Sequence, residues 1–257
     1  MKIVVCVAAV PNPDKIRWDR LRQVLDLQDA EPVLNPVDRN ALELAAALAK
    51  QTGSAFDAIC ADAGASAALR EAAVFGADRM IAVEDDALEA ADATGVAAAL
   101  AATIAHVGGA DIVFCGASTA SFAEGAVPGY LSALLRGGLV VDALGVEFAD
   151  DRLSVNALDG DGISRLVTSI PAVVVAAPFG IRVRAVSPVL LMKAAKKAQQ
   201  TLTLADVGCQ VPLATTGAVE GPLESDRGKK AMEVVDGDDA ATRARALIAS
   251  LRDRQAV

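Results

Sequence analysis

The chain has 257 residues, 53% of them hydrophobic but only 3% aromatic, and a net charge of −9. That length suits one large or two small domains, with a core built from Ala, Val, Leu and Ile. The negative balance disfavours nonspecific nucleic-acid binding, which needs Lys and Arg for phosphates, and no apolar run is long enough for a transmembrane helix.

Residues 2–10 form one apolar run, which predicts a strand buried on both faces. This start lacks the charged segment, long apolar stretch and cleavage site of a signal peptide, so a cytoplasmic location is expected, without direct membrane insertion. Asn35-Pro36-Val37-Asp38 predicts a helix start, with Asn35 as N-cap and Pro36 in the first turn. Ala41, Leu44, Ala45 and Leu48 follow on one helical face. Strands are expected over 56–60, 79–83 and 111–115, and helices over 65–75, 89–107 and 127–135. Gly76 stops the first of these helices and Gly108-Gly109 the second. Alternation of this kind implies right-handed crossovers and a mainly parallel sheet.

After Gly138 the texture changes. Residues 140–148, 153–158, 163–169 and 172–176 read as strands joined by Asp/Gly turns, which predicts a meander. Beyond residue 180 periodicity is lost until a final helix over 239–251. A long irregular stretch inside a compact domain is anomalous, so an arm laid on a partner is the better reading. The expected organisation is a nucleotide-binding α/β domain over 1–180 and a partner-binding arm with a C-terminal helix over 181–257. The fold class is α/β: a mainly parallel, doubly wound, Rossmann-like sheet with antiparallel additions and an extended C-terminal arm.

The cysteines, Cys6, Cys60, Cys115 and Cys209, form no Cys-x-x-Cys pair, and His106 is the single histidine. This argues against a zinc site and favours buried thiols. His106 reads as a solvated residue at a helix end. No Ser–His–Asp set, nucleophile elbow or Walker pattern is present, which argues against a hydrolase or transferase.

Ligands of open parallel sheets bind at the carboxyl ends of strands, near a switch in strand order. The ends to consider are residues 6–10, 60–64 and 115–125. The last is the small-residue loop Gly116-Ala117-Ser118-Thr119-Ala120-Ser121-Phe122-Ala123-Glu124-Gly125, leading into Ala126 and Val127. It suits a phosphate cradle, with backbone N–H groups and hydroxyls ahead of a helix N-terminus. An ordinary polar turn fits the same residues, and Glu124 would repel a phosphate.

Several segments resemble the beta subunit of electron transfer flavoproteins. They are Lys2-Ile3-Val4-Val5-Cys6-Val7 with Val10-Pro11, then Lys15-Ile16-Arg17-Trp18-Asp19, and Leu34-Asn35-Pro36-Val37-Asp38-Arg39-Asn40-Ala41-Leu42-Glu43. Further along lie Leu69-Arg70-Glu71-Ala72 with Gly76-Ala77-Asp78-Arg79, then Pro171-Ala172-Val173-Val174 and Met192-Lys193-Ala194-Ala195-Lys196-Lys197. Each is short, but they occur in family order and cover nearly the whole chain.

The resemblance implies a heterodimer with an alpha subunit that holds most of the FAD contacts. It implies an electron carrier rather than an enzyme, taking electrons from a flavin dehydrogenase donor and passing them to a quinone reductase or other acceptor. It places a structural AMP at Cys6, Asn35 to Asp38, Cys60 and the loop Gly116 to Val127, or a second FAD there in bifurcating relatives. The loop departs from the family pattern: Ser118 and Ala126 replace glutamines, Ser121 and Ala123 replace acidic residues, and Ala8 replaces a lysine. Which nucleotide binds, if any, therefore stays open. Pro188 stands where a docking leucine is usual, with Val189, Leu190 and Leu191 next to it and Lys193 and Lys196 beyond; these are the docking candidates. A stand-alone nucleotide-binding module of the universal-stress type is the alternative.

Overall fold

The computed structural model describes residues 1–19, 21–22, 24–62, 64–89, 91–118, 125–160, 162–194, 196–209 and 234–254. Its contacts divide the chain into two units, Met1–Glu220 and Gly221–Val257.

The first unit opens with β1 (Ile3–Cys6), every residue of which is buried. The apolar run does not continue as one strand. The Ala8 N–H leaves the sheet to reach a carboxylate, and β2 (Ala9–Pro11) pairs antiparallel with β5 (Pro32–Leu34) in a small sheet of its own. Between them β3 (Arg17–Asp19) and β4 (Val24–Asp26) form a hairpin.

Helix α1 (Asp38–Thr52) follows, closed by Gly53 in the left-handed region. The expected cap is not the one found. Asn35 spends its side-chain amide on the carbonyl of Ser118, at 2.8 Å, and residue 37 occupies the cap position without a side-chain bond.

Strand β6 (Phe56–Ala61) leads to α2 (Ala65–Ala72) and a 3-10 turn, Ala73–Phe75, which Gly76 ends. After β7 (Met80–Val83) comes a short 3-10 turn, Asp86–Leu88, and then α3 (Ala93–His106). This helix starts at Ala93, later than the residue 89 expected from the sequence. The carboxylate of Asp92 accepts the N–H groups of Thr94 and Gly95, both at 3.0 Å, and fixes the start there.

The unit continues through β8 (Ile112–Gly116), α4 (Ala126–Leu135), β9 (Gly138–Ala149), β10 (Arg152–Asp159), β11 (Gly162–Thr168) and β12 (Ala172–Ala176). Last come α5 (Pro188–Ala194) and β13 (Gln199–Leu202).

The main sheet has nine strands in the order β11-β10-β9-β12-β8-β1-β6-β7-β13. From β9 to β13 along this order the pairings are parallel, and β10 and β11 add an antiparallel wing. The expected four-strand meander is thus only three strands long. Strand β12 returns to the centre, parallel to both β8 and β9, because its five apolar residues need cover on both faces. A bulge in β9 at Asp142, with φ of 55°, adjusts the register on this side.

Two apolar clusters lie on opposite faces of the sheet, as a doubly wound fold requires. One joins Val5, Cys60 and Phe114 to α1 and α2; the other joins Cys6, Ile59 and Cys115 to α3 and α4. Residues beyond 180 do not separate from this unit, since β13 completes the sheet beside β7. The described part of the first unit therefore continues past the boundary expected near residue 180, through β13. Residues 181–187 are irregular, as read from the sequence.

The described part of the second unit holds α6 (Ala240–Asp253), capped by the Asp239 carboxylate on the N–H of Thr242. None of its residues is buried.

Candidate functional site: a crevice at the strand switch point

Strand order switches between β8 and β1. The chain leaves β1 for α1 on one face and enters β8 from α3 on the other, so the carboxyl ends of these two strands part around a crevice. The space there is about 630 Å³ when its open side is counted. Ala8, Asp62 and Ser118 come from strand ends, while Val96, Leu100 and Val127 form an apolar wall from α3 and α4.

Asp38 organises the floor. As the first residue of α1 it is buried, and its Oδ2 accepts the Ala8 N–H at 2.8 Å. The N–H of Gly116 and the side chain of Asn35 also donate to it. Burial pushes this carboxyl up to about 7, against the opposing pull of those three donors. One side chain thus ties the ends of β1 and β8 to the start of α1. The tie also explains Gly116: a Cβ there would lie 2.1 Å from Asp38 Oδ1.

Asn35 is part of the same brace. Its N–H donates to Ala8 O and its carbonyl accepts the Asp38 N–H, each at 3.0 Å, while its amide holds Ser118. Asp62, on the opposite strand end, is also pushed up by burial, partly offset by the N–H of Gly64.

Cys6 and Cys115 are adjacent on β1 and β8, one step beyond the Val5–Phe114 pair, and both line the crevice. The Cys6 thiol is pushed up by its hydrogen bond with Cys115 and by burial. Cys60 is equally buried but faces the α1–α2 side and does not line the crevice; burial raises its thiol too. The cysteines are free, and the raised Cys6 and Cys60 thiols are held in the protonated form.

Other predicted residues are placed unevenly. Pro36 is exposed and Val37 half-buried, so only the ends of the Asn35–Asp38 motif reach the floor. Gly116, Ser118, Gly125, Ala126 and Val127 line the crevice, whereas Ala117 does not, although its carbonyl crowds Gly125. Thr119, Ala120, Ser121, Phe122, Ala123 and Glu124 lie outside the described residues. Sequence reasoning missed the wall from α3: Val96 and Leu100 looked like ordinary core positions, with no signal to separate them from their helical neighbours. His106 is exposed at the end of α3. Among the described residues, no group of three or more His, Cys, Asp and Glu could hold a metal ion, and no helix is long and apolar enough to cross a membrane.

The docking candidates Val189, Leu190, Leu191 and Lys193 lie on α5, and Lys196 lies just beyond its end. Val189, Leu190, Leu191 and Met192 are exposed, as are Lys193 and Lys196. Ala194 is buried and seats the helix on the core.

Fold and crevice together define a doubly wound α/β domain with a crevice at its switch point, where ligands of such folds bind. Comparison with known proteins narrows this class. Residues 23–207 match the electron transfer flavoprotein domain. Protein FixA of Azorhizobium caulinodans is 31% identical over 182 residues, covering 68% of this chain and 65% of its own length. The electron transfer flavoprotein subunit beta of Thermoanaerobacterium thermosaccharolyticum is 30% identical over 177 residues, 68% of each chain. The caffeyl-CoA reductase-Etf complex subunit CarD of Acetobacterium woodii is 28% identical over 174 residues, 66% of each. The matched stretches thus span about two thirds of these relatives.

The chain belongs to the electron transfer flavoprotein family, on the side of its beta subunits. The universal-stress alternative finds no support among these relatives.

Proposed function

We propose that this chain is the beta half of a heterodimeric electron transfer flavoprotein, an electron carrier without a substrate reaction of its own. The observation that carries the reading is the family match over residues 23–207, which takes in the exposed face of α5 and the switch-point crevice apart from its β1 end. In this reading the segment after residue 180 supplies partner-binding surface through the exposed face of α5, and an alpha subunit holds most of the FAD. FAD supplies the one- and two-electron chemistry when it is bound; this chain supplies binding surface and position.

The crevice fits the nucleoside part of an adenine nucleotide. Val96, Leu100 and Val127 offer an apolar wall for a flat ring, and Asp62 and the Ser118 hydroxyl offer acceptors for ring N–H and ribose hydroxyl groups. Asp38, Asn35 and Gly116 hold the floor rather than reach outward, because their polar groups serve one another. A phosphate would fall to the loop before α4, at residues 116–127, where backbone N–H groups serve without particular side chains. Apolar Val189, Leu190 and Leu191, with Lys193 and Lys196 beside them, form the surface offered to a flavin dehydrogenase. The name of the Acetobacterium relative, a subunit of a reductase complex, is in keeping with such an arrangement.

The test is co-expression with an alpha-type subunit, a visible spectrum, and identification by mass of the nucleotides released on heating. A yellow heterodimer with one FAD and one AMP is expected. Two FADs would assign the crevice to a second flavin, FAD without a second nucleotide would sink the crevice reading, and a colourless monomer would sink the carrier reading.

A further inference from the structure

The exposed helix α5 is carried on a segment tied down at both of its ends. On the far side, Ala194 is buried, Lys197 Nζ donates to the carbonyl of Ala77 at 2.8 Å, and β13 joins β7. On the near side, residues 181–187 have no strand or helix to hold them, although Ile181, Val183 and Val186 pack on the core. Arg184 fixes them in a directed way. Its backbone N–H and its Nε donate to Glu43 Oε1 at 2.8 and 2.7 Å, and a terminal nitrogen donates to Glu43 Oε2 at 2.8 Å. The other terminal nitrogen reaches the carbonyl of Phe75 at 3.4 Å, and the guanidinium carbon stands 5.3 Å from the Phe75 ring centroid.

One side chain therefore joins three elements: the irregular segment, α1 through Glu43, and the 3-10 turn after α2 through Phe75. An exposed ion pair of one bond would add little. This one is a two-pronged fork stacked on a ring, with the Glu43 side chain only 15% exposed. Burial pushes the Glu43 carboxyl up, but the Arg184 hydrogen bonds and charge outweigh it and hold it below its ordinary value. Arg184 is raised in turn by the same bond. A lysine has neither the second prong nor the planar face.

We propose that Arg184 is the positioning residue for α5: its fork on Glu43 sets the orientation in which Val189, Leu190 and Met192, exposed at 61%, 40% and 72%, meet a flavin dehydrogenase. This rests on the docking reading of α5. Arg184 acts through the backbone that leads to Pro188 and touches neither cofactor nor the reacting atoms. Its contribution is to reduce the number of orientations α5 samples before docking, and with it the ordering cost of association.

The experiment uses the heterodimer with its alpha-type subunit and three variants: Arg184→Ala, Arg184→Lys and Leu190→Asp. Amide hydrogen exchange over residues 188–194 is expected to quicken about tenfold in Arg184→Ala and by less in Arg184→Lys, with β1, β6 and β8 unchanged. With the flavin dehydrogenase that reduces the wild-type heterodimer, Arg184→Ala is expected to raise KM for the carrier about tenfold at unchanged kcat. Flavin content and reduction by dithionite stay as in wild type. Unchanged exchange in α5, exchange that rises equally in the central strands, or an unchanged KM would overturn the proposal. If Leu190→Asp also leaves KM at the wild-type value, the docking reading fails with it; if Leu190→Asp raises KM and Arg184→Ala does not, only the positioning role fails.

Discussion

The centre of the sheet and its antiparallel wing are built from similar residues but covered differently. Every residue of β1, β7 and β12 is buried, because helices lie on both faces. In β9 to β11, Val141, Ile163, Leu166 and Val167 remain exposed although they are as apolar as any residue of β1. Strand β10 shows the half-covered pattern most clearly, with Leu153, Val155 and Ala157 buried, Ser154 half-buried and Asn156 exposed. The centre holds the fold and the crevice; the wing presents apolar surface that a partner can cover.

Substitutions can sharpen or break this contrast. The largest effect is expected for Phe114→Ala in β8, where a fully buried ring leaves a cavity between β8 and α1. A loss of about 3–5 kcal/mol by chemical denaturation is expected. Gly116→Ala comes next, at about 2–3 kcal/mol, since the new methyl overlaps a pinned carboxylate. A double-mutant cycle with Asp38→Ala should then be clearly less than additive, and additive losses would show that the overlap is relieved some other way.

The third effect depends on pH. Asp38 binds its proton more tightly in the folded chain than in the unfolded one, with the folded value near 7 against an ordinary 3.8. Between those values the native state holds more protons, so this group's contribution to stability is present at low pH and is lost as pH rises through the window. The change is on the order of a few kcal/mol. Denaturation midpoints of wild type and Asp38→Asn, measured from pH 4 to 8, should show the wild-type slope flattened in the variant; parallel curves would remove Asp38 as the cause. The smallest effect is expected in the wing. Ile163→Ser on β11 should change the stability of the chain by less than about 0.5 kcal/mol, because the side chain is already 67% exposed. A loss as large as in the centre would break the contrast between the two regions.

Much of the central architecture was legible because strands buried on both faces leave continuous apolar runs. Residues 56–60, 79–83, 111–115 and 172–176 all fall on central strands. The errors came where a polar contact redirected the backbone. The Ala8 N–H turns to Asp38 and splits the first run, α1 starts at Asp38 with residue 37 and not Asn35 at its cap position, and Asp92 fixes the start of α3. The Asn-Pro-x-Asp motif was visible as a landmark of the site. Its role as an internal brace was not, since the donors come from residues 8 and 116, far apart in sequence.

The sequence by itself determined the class of fold and the family, because apolar periodicity, helix-ending glycines and the order of short motifs are local properties. Only the tertiary structure decided that β12 returns to the centre, that Cys6 and Cys60 face opposite sides of the sheet, and that Arg184 meets Glu43 and Phe75. Those outcomes depend on which strand each run pairs with and which helix covers it. Pairing and cover join residues far apart in sequence, from 34 positions for Ala172 and Gly138 to 141 for Arg184 and Glu43, and no local pattern records them.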